Sequence, residues 1–254
     1  MPNVVEWAFR RWYWYVNTVD KDAEILFMNY GYSNGEEITL ESHEEANRYS
    51  IQLYHLLADS VDLKDKHLVE IGCGRGGGLA YVKRNFELAS ARGIDLNKTA
   101  IKFSNDFYDE PNLTFHHGDA QNIPFESDSC DAVLNVESSH RYPEIHLFFS
   151  EVYRILRPGG HLLYTDFRPC NEVEEWRKKM EDSGLELMDE QDITAEVVTA
   201  LELDHPRRKA LVKKLTPFFL HQTALNFAGG IGSKTYKRFQ KRKWVYMNYV
   251  LRKG

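Results

Sequence analysis

The chain has 254 residues, 43% of them hydrophobic, enough for one large domain or two small ones with a real core, and no apolar run approaches the ~20 residues of a membrane span. Cys73, Cys130 and Cys170 are odd in number and far apart, which argues against a disulfide framework or a CxxC metal site; with no basic-then-apolar signal pattern at the N-terminus, a cytoplasmic protein with reduced thiols is expected. Net charge is −6 but uneven: residues 205–254 hold 13 of the 32 Lys and Arg and none of the 38 Asp and Glu, leaving 19 basic against 38 acidic side chains in residues 1–204.

Residues 4–19 contain Trp7, Phe9, Trp12, Tyr13, Trp14 and Tyr15, which do not fall on one helical stripe. The simplest reading is an N-terminal helix packed on the body. An aromatic lid over a greasy substrate and a peripheral membrane anchor are the alternatives. Met28 to Tyr32 reads as a turn. Residues 43–59 read as a helix, with Ala46, Tyr49, Leu53, Leu56 and Leu57 at helical spacing.

From Lys66 onward strand and helix alternate. The pattern predicts strands at 67–71, 91–95, 113–117, 130–136 and 161–165, and helices at 77–87, about 98–108 and 144–156. Arg157-Pro158-Gly159-Gly160 reads as the stop after the last of these helices. Beyond Asp166 a helix over 172–182 and a strand over 185–188 are expected. Helices over 194–226, broken near His205-Pro206 and Pro217, a loop at Gly229 to Ser233 and a final strand at 244–251 complete the chain. The repeated β-α order implies a doubly wound α/β fold with a mostly parallel seven-stranded sheet. Residues 1–60 are expected to form a helical lid segment and 61–170 a cofactor-binding core. Residues 171–254 would hold the rest of the sheet and a helical cap, all in one integrated domain.

Ligands of open α/β sheets gather at the carboxyl ends of the strands. Here those ends carry Glu70 and Gly72, Asp95, Asp119, and Asn135. A strand, a glycine turn, a helix and a strand ending in an acid open an adenosine-binding sheet, since glycine admits a ligand close to the backbone and a carboxylate can accept from both ribose hydroxyls. Each residue also has a plain structural reading, the glycines as turns and the two Asp as caps. Together, Val69-Glu70-Ile71-Gly72-Cys73-Gly74-Arg75-Gly76, Gly93-Ile94-Asp95-Leu96, Gly118-Asp119-Ala120 and Leu156-Arg157-Pro158-Gly159-Gly160 resemble the class I S-adenosylmethionine-dependent methyltransferases.

The resemblance implies S-adenosylmethionine as cofactor. Glu70, Gly72 and Gly74 would lie in the turn at its methionine part, Asp95 on the ribose, Leu96 against the adenine, and Asp119 with Ala120 at the adenine amino group. Asn135 would offer its backbone carbonyl to the cofactor's amino group. Asn29-Tyr30-Gly31-Tyr32 resembles a segment that closes over the cofactor, with Tyr30 or Tyr32 at the methyl-transfer site. Resemblance over nearly the whole chain, including Trp12 to Tyr15, Asn135 to Pro143 and Asp166-Phe167-Arg168-Pro169, is greatest to the group that O-methylates phthiotriolone dimycocerosates and related lipid polyketides.

His140 lies in the loop leaving the fourth strand, and Asp166 ends its neighbour, about one strand spacing (~4.8 Å) to the side. A His fixed by a carboxylate can take the proton of a hydroxyl attacking a methyl sulfonium. Alternatively His140 only shapes the pocket, proximity supplying much of the rate; Glu137 is a second possible acid partner or substrate contact. The expected reaction is O-methylation of a hydrophobic small molecule; an N-, S- or C-methyltransferase needing no base is the alternative. No metal is expected, since His116 and His117 point to opposite faces of a strand. Nor is a nucleic-acid partner, for which the basic tail is the sole sign. That tail fits packing against the acidic body, or else a basic face for an anionic substrate or phospholipid.

Overall fold

The structure, a computed structural model, describes Asp20 and residues 23–254. The helix expected at 4–19 lies outside the described residues. Strands β1 (His67–Ile71), β2 (Ser90–Asp95), β3 (Leu113–His117), β4 (Cys130–Val136), β5 (Leu156–Pro169), β6 (Leu185–Asp192) and β7 (Trp244–Lys253) form one sheet in the order β3-β2-β1-β4-β5-β7-β6. The first five are parallel, and β7 runs antiparallel between β5 and β6. The described helices are α1 (Arg48–Ala58), α2 (Gly77–Asn85), α3 (Lys98–Phe107), α4 (Ile145–Ile155), α5 (Val173–Glu181), α6 (Thr194–Leu203), α7 (His205–Leu215), α8 (His221–Phe227) and α9 (Lys234–Gln240).

Both faces of the sheet are covered, which is why its central strands are apolar without interruption. Leu68, Leu134 and Leu163 pack with Leu53 and Leu57 of α1 and Leu79 of α2. Their strand neighbours Val69, Val133 and Leu162 point the other way, against Phe148, Phe149 and Val152 of α4.

Several elements differ from the sequence pattern for physical reasons. β5 is 14 residues long because Arg157 to Gly160 do not end it; the β4 register jumps from Cys130↔Leu156 to Ala132↔His161, so those four residues bulge. β6 runs on to Asp192 through Asp189, Glu190 and Gln191 because it pairs with β7 on one side only and can carry polar residues at the sheet edge. The helix α9 was not anticipated; Ser233 starts it by accepting a hydrogen bond from the Tyr236 N–H.

The chain order runs outward from β1 to β3, then returns to β4 on the other side of β1. The crevice between the carboxyl ends of β1 and β4 is therefore the switch point where such sheets bind ligands. Residues 23–30 cross it, with Leu26 against Gly77 and Met28 against Gly74. At one end, buried Arg75 pairs with buried Asp20 at 2.9 Å and stacks 3.8 Å from the Phe103 ring centroid. At the other, buried Arg208 of α7, held by Asp204 at 2.8 Å, donates to the carbonyls of Asn29 (3.2 Å) and Tyr30 (3.1 Å). The insertion α6 to α9, between β6 and β7, thus touches the crossing segment directly.

Candidate active site

The turn after β1 has its backbone in the left-handed region at Gly72 (φ 76°) and Gly74 (φ 54°). A Cβ on Gly72 would meet the Ser138 Cβ at 2.6 Å and the Tyr142 hydroxyl at 2.9 Å; one on Gly74 would meet Met28 of the crossing segment at 2.8 Å. Any other residue at Gly72 would drive its Cβ into the Ser138 and Tyr142 side chains, and one at Gly74 into Met28. Half-buried Asp95, at the end of β2, accepts from the Gly74 N–H at 2.9 Å and the Asn97 N–H at 2.7 Å, and burial pushes its carboxyl up. Next to it Leu96 is 51% exposed, an apolar surface facing outward beside a carboxylate. Asp119 is exposed at the end of β3 and accepts from the Gln121 N–H at 2.9 Å, while Ala120 is buried.

Glu70 is fully buried. It accepts from the Tyr54 hydroxyl at 2.7 Å, its other oxygen is unpartnered, and burial pushes it up to about 8. Asn135 is also fully buried. Its side-chain amide N–H groups lie 2.8 Å from the Ile71 carbonyl, 2.8 Å from Ser138 Oγ and 3.1 Å from Tyr142 Oη, and its Oδ1 is unpartnered.

The loop after β4 brings His140 against Asp166 of β5. His140 Nδ1 is 2.8 Å from Asp166 Oδ1, and the His140 N–H donates to Asp166 Oδ2 at 2.8 Å. Buried Asp166 also accepts from Ser139 Oγ at 2.6 Å and from the Phe167 N–H at 2.8 Å. Burial alone would raise its carboxyl, but His140 and Arg168 together hold it well below the usual carboxylate range. An ionised carboxylate can only accept, so Nδ1 carries the proton of that bond, and in the neutral ring Nε2 is the nitrogen left to accept another. Behind the pair, Arg168 donates to Ser139 Oγ (2.8 Å) and Tyr164 Oη (2.9 Å) and lies 3.2 Å from the Trp176 ring centroid. This support had no signal in the sequence beyond the closeness of Arg168 to Asp166.

Glu137 is not the partner of His140. It sits in the left-handed region (φ 46°), and its Oε1 accepts from the Tyr30 N–H at 2.5 Å and the Tyr246 hydroxyl at 2.6 Å; burial pushes it up to about 8. Tyr30 packs its ring on Phe167 (5.5 Å) and Phe239 (5.4 Å), and Phe167 lies 4.5 Å from the His140 ring. The wall beside the imidazole is aromatic. Tyr32 lies further off, its N–H donating to the Tyr49 carbonyl at 2.9 Å and its phenol raised by burial and by Glu196 and Glu36.

A cavity of about 320 Å³ lined by Lys66, Asp131, Gly159 and His161 opens at the other end of the sheet, at the amino ends of β1, β4 and β5. That is the wrong end for the ligand of a parallel sheet, so the carboxyl-end crevice is taken as the site. Among the described residues no cluster of three or more His, Cys, Asp or Glu could hold a metal, and no helix is long and apolar enough to cross a membrane.

The family pattern described as "Methyltransferase domain" matches residues 69–164. The chain is 38% identical over 248 residues to the fatty-acid O-methyltransferase of Mycolicibacterium smegmatis, covering 97% of this chain and 90% of that one. The chain belongs to this methyltransferase family. The phthiotriol/phenolphthiotriol dimycocerosates methyltransferase of Mycobacterium leprae is 37% identical over 248 residues, covering 97% of this methyltransferase and 92% of the relative. The fold is shared with the cyclopropane synthase MmaA2 of Mycobacterium tuberculosis (TM-score 0.74, 16% identity, 95% of this chain and 98% of that one). The resemblance to the lipid-polyketide methyltransferase group is thereby matched over nearly the full length.

The residues present fit an adenosyl methyl donor. The left-handed turn at Gly72 and Gly74 and the Asp95 carboxylate, joined through the Gly74 N–H, stand at the carboxyl ends of β1 and β2, and Asn135 at the end of β4 leaves its buried Oδ1 unpartnered.

Proposed function

We propose that this methyltransferase moves a methyl group from S-adenosylmethionine to a hydroxyl of a hydrophobic small molecule, with His140 as general base. When bound, the cofactor supplies an electrophilic methyl on a sulfonium. Gly72 and Gly74 would hold its methionine part, Asp95 its ribose, and Leu96, Asp119 and Ala120 its adenine; Tyr30 closes the acceptor side. Glu70 supports the glycine turn through Tyr54, and Tyr32 anchors the crossing segment on α1.

The observation that carries the reading is the His140 Nδ1 to Asp166 Oδ1 contact at 2.8 Å beside the switch-point crevice. It leaves Nε2 free to take a hydroxyl proton as the oxygen attacks. The aromatic wall of Tyr30, Phe167 and Phe239 supports an apolar acceptor.

A second reading comes from the fatty-acid relative. A carboxylate acceptor is already ionised at neutral pH and needs no base. A panel of long-chain secondary alcohols, fatty acids and amines with labelled methyl donor, sorted by product mass, separates the readings. With an alcohol, His140→Ala should lower turnover about 10²–10⁴-fold. Methylation of fatty acids alone, with little effect of the substitution, would replace the hydroxyl reading by the carboxylate one.

A further inference from the structure

We propose that the Phe218–Phe219 turn of the helical insertion is a docking tip that seats the enzyme on an anionic phospholipid surface. Phe218 is 87% and Phe219 79% exposed, the most exposed large hydrophobics among the described residues. They are adjacent and held outward by a braced turn. The Leu220 N–H donates to the Pro217 carbonyl at 2.9 Å, and Thr216 Oγ1 donates to the Val212 carbonyl at 2.7 Å. His221 Nε2 lies 3.0 Å from the Thr216 carbonyl, and its ring packs on Phe218 at 5.6 Å. Aromatic rings displayed on a fixed turn are suited to the boundary between headgroups and acyl chains.

The charge around the tip selects the partner. From residue 205 to the end of the sequence there is no Asp or Glu, although the whole chain is at −6. Exposed Lys209 and Lys213 lie on α7 just before the turn, and exposed Lys234, Lys237 and Arg238 on α9. Lys214, between Lys213 and the turn, is neutralised by Glu24 at 2.7 Å. An apolar point that follows directly on the exposed cations Lys209 and Lys213 of α7, in a stretch of sequence without acids, complements anionic headgroups. The tip is also close to the site. The same helix α7 holds Tyr30 through Arg208, only roughly 10 Å along its axis from its end at Leu215. A surface engaged by the tip would lie near the segment that covers the crevice, where a membrane-dissolved acceptor could pass directly to the aromatic wall.

The test is sedimentation of the full chain with vesicles of phosphatidylcholine alone or with one third phosphatidylglycerol. Wild type is expected on the anionic vesicles, weakly on the neutral ones, and released by high salt. The variant with Phe218→Ser and Phe219→Ser should partition at least about tenfold less, and that with Lys209→Gln and Lys213→Gln should lose most of the preference for anionic vesicles. Both should methylate a short-chain, water-soluble acceptor at the wild-type rate, which shows that they fold. Vesicle binding needs no methyl transfer, so this proposal and the catalytic one fail separately. Equal binding by the double-Phe variant and wild type, with loss only on removing residues 1–19, would overturn it in favour of the aromatic N-terminus. So would absence of vesicle binding with a dimer that the Phe substitutions dissociate, which would assign the turn to a second copy.

Discussion

Replacing Asp166 by Asn isolates the role of the acid. The substitution changes little in volume and keeps one oxygen that can accept from Ser139, the His140 N–H or the Phe167 N–H, which lie within 2.6–2.8 Å. It removes the charge and turns one acceptor into a donor opposite His140 Nδ1. The imidazole must then present a lone pair at Nδ1 and carry its proton on Nε2, facing the acceptor. The base is in the wrong tautomer, and a loss of about 10²–10⁴ in turnover is expected with an alcohol acceptor. By transition-state arithmetic that is roughly 3–5.5 kcal/mol. Stability gives a second readout. Because the folded carboxyl is held below its unfolded value, it stabilises the fold fully above the unfolded pKa of about 3.9, and that contribution fades as pH falls toward the lower folded value. Thermal unfolding of wild type should therefore lose stability below about pH 4 more steeply than the Asn variant does. Single-turnover transfer of labelled methyl, with cofactor affinity measured separately by calorimetry, checks the first claim. Turnover within threefold of wild type, with unchanged cofactor affinity, would refute the assignment of Asp166 as the partner that sets the His140 tautomer.

Asp95→Ala should abolish measurable cofactor binding by calorimetry, because each charged hydrogen bond to ribose is worth roughly 1.5–3 kcal/mol, while circular dichroism stays native. Unchanged affinity would count against the ribose assignment. Gly72→Ala puts a Cβ 2.6 Å from the Ser138 Cβ at φ 76°, and should cost about 1–3 kcal/mol of stability and most cofactor affinity; denaturant unfolding and calorimetry read the two. Glu137 and Glu70 are raised to about 8, so the folded chain keeps those protons where the unfolded chain, with a Glu pKa of about 4.3, has lost them. Stability from these groups is therefore present at acid pH and falls as pH rises toward 8. Glu137→Gln, which can still accept from Tyr30 and Tyr246, should raise the Tm relative to wild type more at pH 8.5 than at pH 5.5.

Strands buried on both faces were legible in the sequence. β1 and β4 have the predicted bounds because each is a short run ended by a turn or an acid, and β3, an edge strand with exposed residues between buried ones, has them as well. β5 was not, because Pro158-Gly159-Gly160 marks a stop in most contexts and here forms a bulge in a strand paired on both sides. The approach of His140 to Asp166 followed from placing the two strands side by side, and the structure brings the side chains together. What could not be read is whatever depends on tertiary direction. Nothing in the sequence shows that Glu137 reaches Tyr246, 109 residues away, or that Arg208 closes on Tyr30, 178 residues away. The Asn135 amide facing Ile71 is of the same kind, since strand position gives the face but not the partner. The helix α9 had its signal in Ser233, a cap residue after glycine, but seven residues are too few for periodicity to show.

The most direct measurement is a crystal structure with S-adenosylhomocysteine and a long-chain secondary alcohol. The thioether sulfur is expected at the Gly72 turn and the alcohol oxygen within about 2.6–3.2 Å of His140 Nε2. An alcohol oxygen turned away from the imidazole, or a cofactor bound at the amino ends of the strands near His161, would contradict it.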